Sequence, residues 1–191
     1  MATGRRADLA ALGAGVLGVD VATARSLPVD DHLRVTDGVW AVGDVTGCGS
    51  FTHVAMYQAS IAAADILVFR TADYSALPRV AFTDPEVGSV GLNVQAARDA
   101  GIDVAMGRAD VPSTARGWLH KTGNEGFIQV VAECRRGVLV GATSVGPHGG
   151  ELLVLLTLAV HAGVRIDELR SMIYAYPTFH RGVEDAVRNL G

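Results

Sequence analysis

Thr36-Asp37-Gly38-Val39-Trp40-Ala41-Val42-Gly43-Asp44 is the most informative run in the chain. Turn-forming residues at 36–38 separate two apolar stretches, and residues 29–35 and 39–42 read as short strands. The second strand delivers Gly43-Asp44 to its C-terminal end, where open α/β sheets place their ligands. Gly43 permits close backbone approach, and Asp44 offers a carboxylate acceptor suited to a sugar or polyol hydroxyl. Farther on, Thr52 reads as the N-cap of a long helix over 53–69. Its first turn would aim unpaired N–H groups and a partial positive charge into the same region, favouring an anionic or electron-rich ligand. Gly-Asp alone at a strand end is ordinary turn structure; the adjoining helix start makes the arrangement specific.

Working outward, residues 1–77 and 78–191 read as two unequal parts joined near Ser75-Ala76-Leu77-Pro78. In the first, the Ala-rich helix AMYQASIAAADILVF suits close packing against a sheet or another helix. The second reads as α+β. Strands are expected at 80–82, 87–91, 104–110, 127–134 and 138–145, the last two forming a hairpin through Arg135-Arg136-Gly137. Asn93 caps a short helix to Ala100 that Gly101 ends. A buried helix is expected over 151–162 with Gly163 as its stop, a short one near Asp167, and a last one over 179–190. An antiparallel sheet of four or five strands with helices on one face is the natural assembly.

Composition excludes several classes. Of 191 residues, 49% are hydrophobic and only 19% charged, so the chain buries a core rather than remaining disordered. A net charge of -4 supplies no broad basic field for nucleic acid. Cys48 and Cys134 are far apart with no zinc or disulfide spacing, and the histidines lack metal-ligand spacing; no metal and a reducing, cytoplasmic setting are expected. The longest apolar run, around 152–160, is about half of the roughly 20 residues a bilayer span needs. Two motifs near the start are decoys. Arg5-Arg6, residues 9–19 and Ala22-Thr23-Ala24 mimic a signal peptide, but Asp8, Asp20 and three glycines argue against it. Gly13-Ala14-Gly15-Val16-Leu17-Gly18 formally matches a dinucleotide fingerprint without the flanking strand and helix it needs.

In order, Ala2-Thr3-Gly4-Arg5, Trp40-Ala41-Val42-Gly43-Asp44 and Thr52-His53-Val54-Ala55 resemble the latter part of the FAD-dependent pyridine nucleotide-disulfide oxidoreductases. That family includes dihydrolipoamide dehydrogenase, mercuric reductase and soluble transhydrogenase. Phe82-Thr83-Asp84-Pro85-Glu86-Val87-Gly88-Ser89-Val90-Gly91 is similar to the opening of its dimerisation domain. Gly146-Pro147-His148-Gly149-Gly150-Glu151 resembles a later loop and helix start, and Tyr176-Pro177-Thr178 the near-terminal motif.

The resemblance implies that Asp44 bonds the ribityl chain of FAD, with Gly43 beside it. Thr52, His53 and Ala55 would face the pyrimidine edge of the flavin. Thr3 and Gly4 would close the return from the nicotinamide domain. Residues 1–77 would be part of an FAD-binding domain, and residues 78–191 would pair two copies about a two-fold axis, burying the 152–160 helix or its neighbours. The family's FAD-binding glycine motif, its redox cysteine pair and its nicotinamide motif have no match here. The chain is therefore expected to be a C-terminal portion of a parent using FAD and NAD(P)H and a small-molecule electron acceptor, binding neither cofactor and inactive alone.

The near-terminal motif departs from the thiol-handling members, whose His and Glu form an acid/base pair. Tyr176 stands at the His position and Arg181 at the Glu position. A phenol, with a pKa near 10, cannot shuttle protons for a dithiol in that way. Tyr176, with His180 as a second candidate, implies a flavin-dependent NAD(P)H oxidoreductase without thiol-disulfide chemistry; His180 also reads as a solvated or capping residue. A stand-alone dimerisation module, with Gly43-Asp44 purely structural, is the alternative.

Overall fold

A computed structural model describes residue 4 and residues 6–191, which divide into two compact units between Asp73 and Tyr74. In the first unit, β1 (Arg34–Thr36) and β2 (Val39–Trp40) make a small antiparallel hairpin. Ordered strand is shorter than the hydrophobic pattern of 29–35 suggests. Asp30 is the reason: one of its carboxylate oxygens accepts from the N–H groups of both His32 and Arg34, each at 2.9 Å. Leu33 takes a φ of +66° in the resulting turn, which consumes the backbone groups a strand would offer. Residues 41–42 leave β2 because a turn follows at once, and Ala41 N–H instead bonds Leu33 C=O at 3.0 Å.

Helix α1 (Thr52–Val68) follows. Its N-cap is Phe51, without a side-chain cap; Thr52 is the first helical residue rather than the cap. One side buries Val54, Gln58, Ile61, Ala62 and Asp65, at the alternating three- and four-residue spacing of a helix face. Leu33, Ile61 and Ala62 form a core with Val29, Trp40, Tyr57 and Ala72 packed around it. A second cluster gathers Leu9, Ala14, Leu27 and Ala41. The formal fingerprint at 13–18 is a four-residue 3-10 turn, Ala14–Leu17, between left-handed Gly13 and Gly18, and the next element is β1, not a helix.

The second unit is a five-stranded antiparallel sheet of β3 (Pro78–Ala81), β4 (Glu86–Gly91), β5 (Val104–Asp110), β6 (Phe127–Glu133) and β7 (Val138–Gly146), in the order β3-β4-β7-β6-β5. Registry across the sheet puts Val80, Gly88, Ser144, Ile128 and Ala109 on one face, with Val90, Ala142, Val130 and Gly107. Helices α4 (Gly149–His161) and α6 (Arg181–Arg188) cover that face: Ser144 Oγ donates to Gly149 C=O at 2.5 Å, and Leu152, Leu153, Leu156, Val183, Ala186 and Val187 join its core. Two glycines make this approach possible. A Cβ on Gly107 would lie 2.1 Å from Ala186 C=O, and one on Gly88 would lie 2.9 Å from Ser144 Oγ and 3.0 Å from Gly149 C=O.

Three short helices complete the unit: α2 (Val94–Asp99), α3 (Ala115–His120) and α5 (Ile166–Ser171). Asn93 caps α2 by accepting from Ala96 N–H at 2.8 Å. Helix α3 has no counterpart in the sequence reading; it is a single capped turn and a half, held by Thr114 Oγ1 accepting from Gly117 N–H at 3.1 Å. The 152–160 helix is buried on one side only, with Val154 71% and Leu158 59% exposed on the other. Gly107→Ala should force α6 off β5 and destabilise the unit by about 1–3 kcal/mol, read as a lower urea midpoint by circular dichroism; an unchanged midpoint would refute the packing described.

Candidate functional site

The turn after β2 is built around a closed ring of hydrogen bonds. Gly43 has φ +83° and ψ −158°, a conformation open to glycine alone, and is buried. Its N–H donates to Gln58 Oε1 at 2.6 Å. Gln58 Nε2 donates to Thr46 Oγ1 at 3.0 Å, and the Thr46 hydroxyl donates to Gly43 C=O at 2.9 Å. The order of donors fixes the carboxamide orientation, because only its oxygen can accept from an amide. Gln58 is 0% exposed, so its amide would be costly to bury without such partners.

This ring presents Asp44 at the start of a 3-10 turn, Asp44–Thr46, which Gly47 closes with φ +72°. Asp44 is exposed. The start of α1 lies against the turn: a Cβ on Gly43 would sit 3.6 Å from Ala55 Cβ. Thr52 and His53 are exposed in the first turn of α1, and the His53 ring stacks on Phe51 at 5.1 Å. The structure therefore brings Gly43, Asp44 and Ala55 together beside a helix N-terminus. Gly4 is exposed with φ +107°, and among the described residues, its chain neighbours aside, no atom lies within 4 Å of where its Cβ would be; Thr3 lies outside the described residues. Gln58 was absent from the residues selected by sequence. Its signal was a polar residue on the same helical face as Val54, Ile61 and Asp65.

Two turns farther along α1, Asp65 ties the helix to the hairpin. Its carboxylate accepts from Arg34 Nε at 2.7 Å, Trp40 Nε1 at 2.9 Å and Arg70 N–H at 3.3 Å. His32 Nδ1 lies 2.8 Å from Asp65 and 2.9 Å from Arg70 C=O; with acceptors on both sides, this nitrogen carries a proton. Removal from water pushes the Asp65 pKa upward, but hydrogen bonds from Trp40 and Arg34, the Arg34 charge and the Arg70 amide outweigh it and bring it to about 2.

The other selected residues lie in the second unit. Tyr176 is 71% exposed ahead of a cis peptide to Pro177, with the Arg181 guanidinium 5.7 Å from its ring centroid. His180 is exposed at the N-cap of α6 and makes no side-chain cap bond. Among the described residues no hydrogen bond joins the two, so they do not form a dyad. Arg181 pairs with Glu184 at 2.9 Å, and Arg188 holds the same buried carboxylate at 2.7 Å. Among the described residues no cluster of His, Cys, Asp and Glu could hold a metal ion, and no helix is long and apolar enough to cross a membrane.

Asp65 gives the first unit a defined acid limb. Its folded pKa is below the ordinary carboxylate value of 3.8, so its stabilisation is complete above that value and is lost as pH falls towards 2. Trp40 fluorescence in a Trp118→Phe background should report this loss. Asp65→Asn should flatten the dependence between those pH values; an identical acid limb in both proteins would contradict the assignment.

Comparison with known proteins places this geometry in a family. Residues 77–187 match the model of the pyridine nucleotide-disulphide oxidoreductase dimerisation domain. Dihydrolipoyl dehydrogenase of Geobacillus stearothermophilus is 33% identical over 177 residues, 92% of this chain and 37% of that protein. The Pseudomonas aeruginosa dihydrolipoyl dehydrogenase is 35% identical over 180 residues, 92% of this chain and 38% of its own length. Among solved structures, Mycobacterium tuberculosis LpdA superposes with a TM-score of 0.86 at 24% identity, covering 97% of this chain and 41% of that one. The HOCl-induced flavoprotein disulfide reductase RclA of Escherichia coli gives 0.83 at 24% identity, covering 98% and 44%. These two likenesses are of fold. The chain thus spans less than half the length of the relatives it matches, and it belongs to the pyridine nucleotide-disulphide oxidoreductase family.

Proposed function

We propose that this chain is the C-terminal portion of a flavin-dependent NAD(P)H oxidoreductase. Residues 1–77 contribute part of an FAD-binding domain, and residues 78–191 form the homodimer. The observation that carries the reading is the locked Gly43–Asp44 turn beside α1, in a chain whose remainder matches a dimerisation domain. The residues present fit the flavin cofactor. An exposed carboxylate on a backbone held by buried hydrogen bonds suits a polyol hydroxyl, and Gly43 and Ala55 leave room for close approach. Gly43 and Asp44 would hold the ribityl chain, while Thr52, His53 and Ala55 would face the ring with the positive end of the helix dipole. Thr3 and Gly4 would complete the strand of chain entering this domain. When bound, the flavin supplies the hydride and electron chemistry.

The thiol acid/base function is absent from this reading. Tyr176 occupies the place of the family's imidazole, and Arg181 turns to Glu184 rather than orienting it. His180 is the other proton-bearing group of the segment. The acceptor is therefore a small molecule other than a disulfide. A cytoplasmic location goes with this reading, consistent with two unpaired cysteines. Homodimerisation uses the exposed apolar side of α4, where Val154 and Leu158 are one turn apart, as an isologous surface.

The isolated chain should run as a colourless dimer by light scattering, without flavin absorbance and without NAD(P)H oxidation. Val154→Asp with Leu158→Asp should convert it to a folded monomer. A monomeric wild-type chain would contradict the dimer assignment, and copurified stoichiometric flavin would contradict the fragment assignment. In the intact parent, NAD(P)H oxidation with a non-disulfide acceptor should far exceed dithiol turnover; the reverse order would sink the claim about Tyr176.

A further inference from the structure

We infer that Arg116, His120 and His148 form a binding site for an oxyanion, floored by Phe179, a site that goes beyond the flavin and dimer roles above. The Arg116 guanidinium lies 5.5 Å from the Phe179 ring centroid. The His120 ring meets it edge-on at 5.5 Å, and the His148 ring lies tilted at 5.4 Å. Three elements converge here. Arg116 and His120 are one turn apart on α3, which places them on the same side of that helix. His148 is the N-cap of α4, and Phe179 precedes α6 while packing against the unit's core.

None of these three side chains makes an ion pair or hydrogen bond among the described residues. Two carboxylates on adjoining elements are engaged elsewhere. Glu86 Oε2 accepts from Gly150 N–H at 2.9 Å in the first turn of α4, and Glu184 is held by Arg181 and Arg188. Glu151 is exposed in that same turn and pairs with none of the three. A guanidinium offers a fixed fork of donors, and an imidazole carries at least one N–H in either protonation state. Three donor groups held around one half-buried ring, with no acceptor of their own, match a phosphate or carboxylate, whose charge-assisted bonds are the strongest available to them.

Inorganic phosphate and citrate, each titrated at ionic strength held constant with chloride, supply the test. Nuclear magnetic resonance of the full chain follows the Arg116 Nε–H and the histidine imidazoles. Saturable shifts should appear at Arg116, His120 and His148 and not at His32 or His161. Saturation by phosphate alone would identify a phosphate ester as ligand class, and by citrate alone a carboxylate. Arg116→Gln and, separately, His148→Gln should each weaken binding by about tenfold or more, with amide spectra showing that the fold is kept. The site is refuted by the absence of saturable shifts with either anion, by equal shifts at His161, or by unchanged affinity in both variants.

Discussion

A buried carboxamide decides the shape of residues 43–46. Gln58 sits in an apolar helix face where an amide can stay only if both its ends are bonded, and the turn supplies both partners. The constraint runs both ways. Gly43 occupies a backbone region closed to other residues; its buried N–H would be orphaned without Gln58, while its C=O accepts from both the N–H and the hydroxyl of Thr46. Helix, turn and strand end are thereby fixed to one another, and Asp44 emerges from that rigid base. Asp65 repeats the device two turns along, collecting Arg34, Trp40 and the Arg70 amide so that the hairpin cannot slide along the helix.

The second unit solves a different problem, that of bringing helices close enough to a sheet to exclude water. It does so by removing side chains where backbones meet. A methyl group on Gly107 would collide with main-chain atoms of α6 and the residues after it, and one on Gly88 would crowd the Ser144 hydroxyl and the Gly149 carbonyl under α4. Around these points the small-to-large alternation of Ala109, Ile128, Val130 and Ala142 fills the interface. Outside this packing lie the apolar outer side of α4 and the Arg116, His120 and His148 side chains around Phe179.

Much of the second unit was legible because its signals are local and agree with one another. Strands β6 and β7 show apolar alternation on either side of an Arg-Gly turn, and Asn93 and Gly101 bracket α2 with ordinary cap chemistry. The first unit was less legible because local polar groups override its hydrophobic pattern. Asp30 captures two amides of an apparent strand, and the apolar Phe51, rather than Thr52, stands at the start of α1. Helix α3 escaped notice because one and a half turns containing Gly117 carry no periodicity. The turn at Gly43-Asp44 was readable from its motif, but the part of Gln58 in holding that turn was hidden by the Ala-rich composition of its helix and shows only in its hydrogen-bond partners. The pairing of Tyr176 with Arg181, and of Arg181 with Glu184, likewise depends on side-chain positions that spacing alone does not give.

The family match, the locked turn and the substituted near-terminal motif support the proposal made above, in which a dimerisation segment lends a preorganised edge to a flavin site without the thiol acid/base pair. Preorganisation of Asp44 by Gln58 is its central claim. The direct measurement is the flavin-to-protein ratio of the intact flavoprotein purified with Gln58→Leu, beside its mass by light scattering. The account predicts a dimer that has lost most of its flavin, because the turn no longer holds Asp44 in place. A dimer retaining the full flavin complement would contradict it.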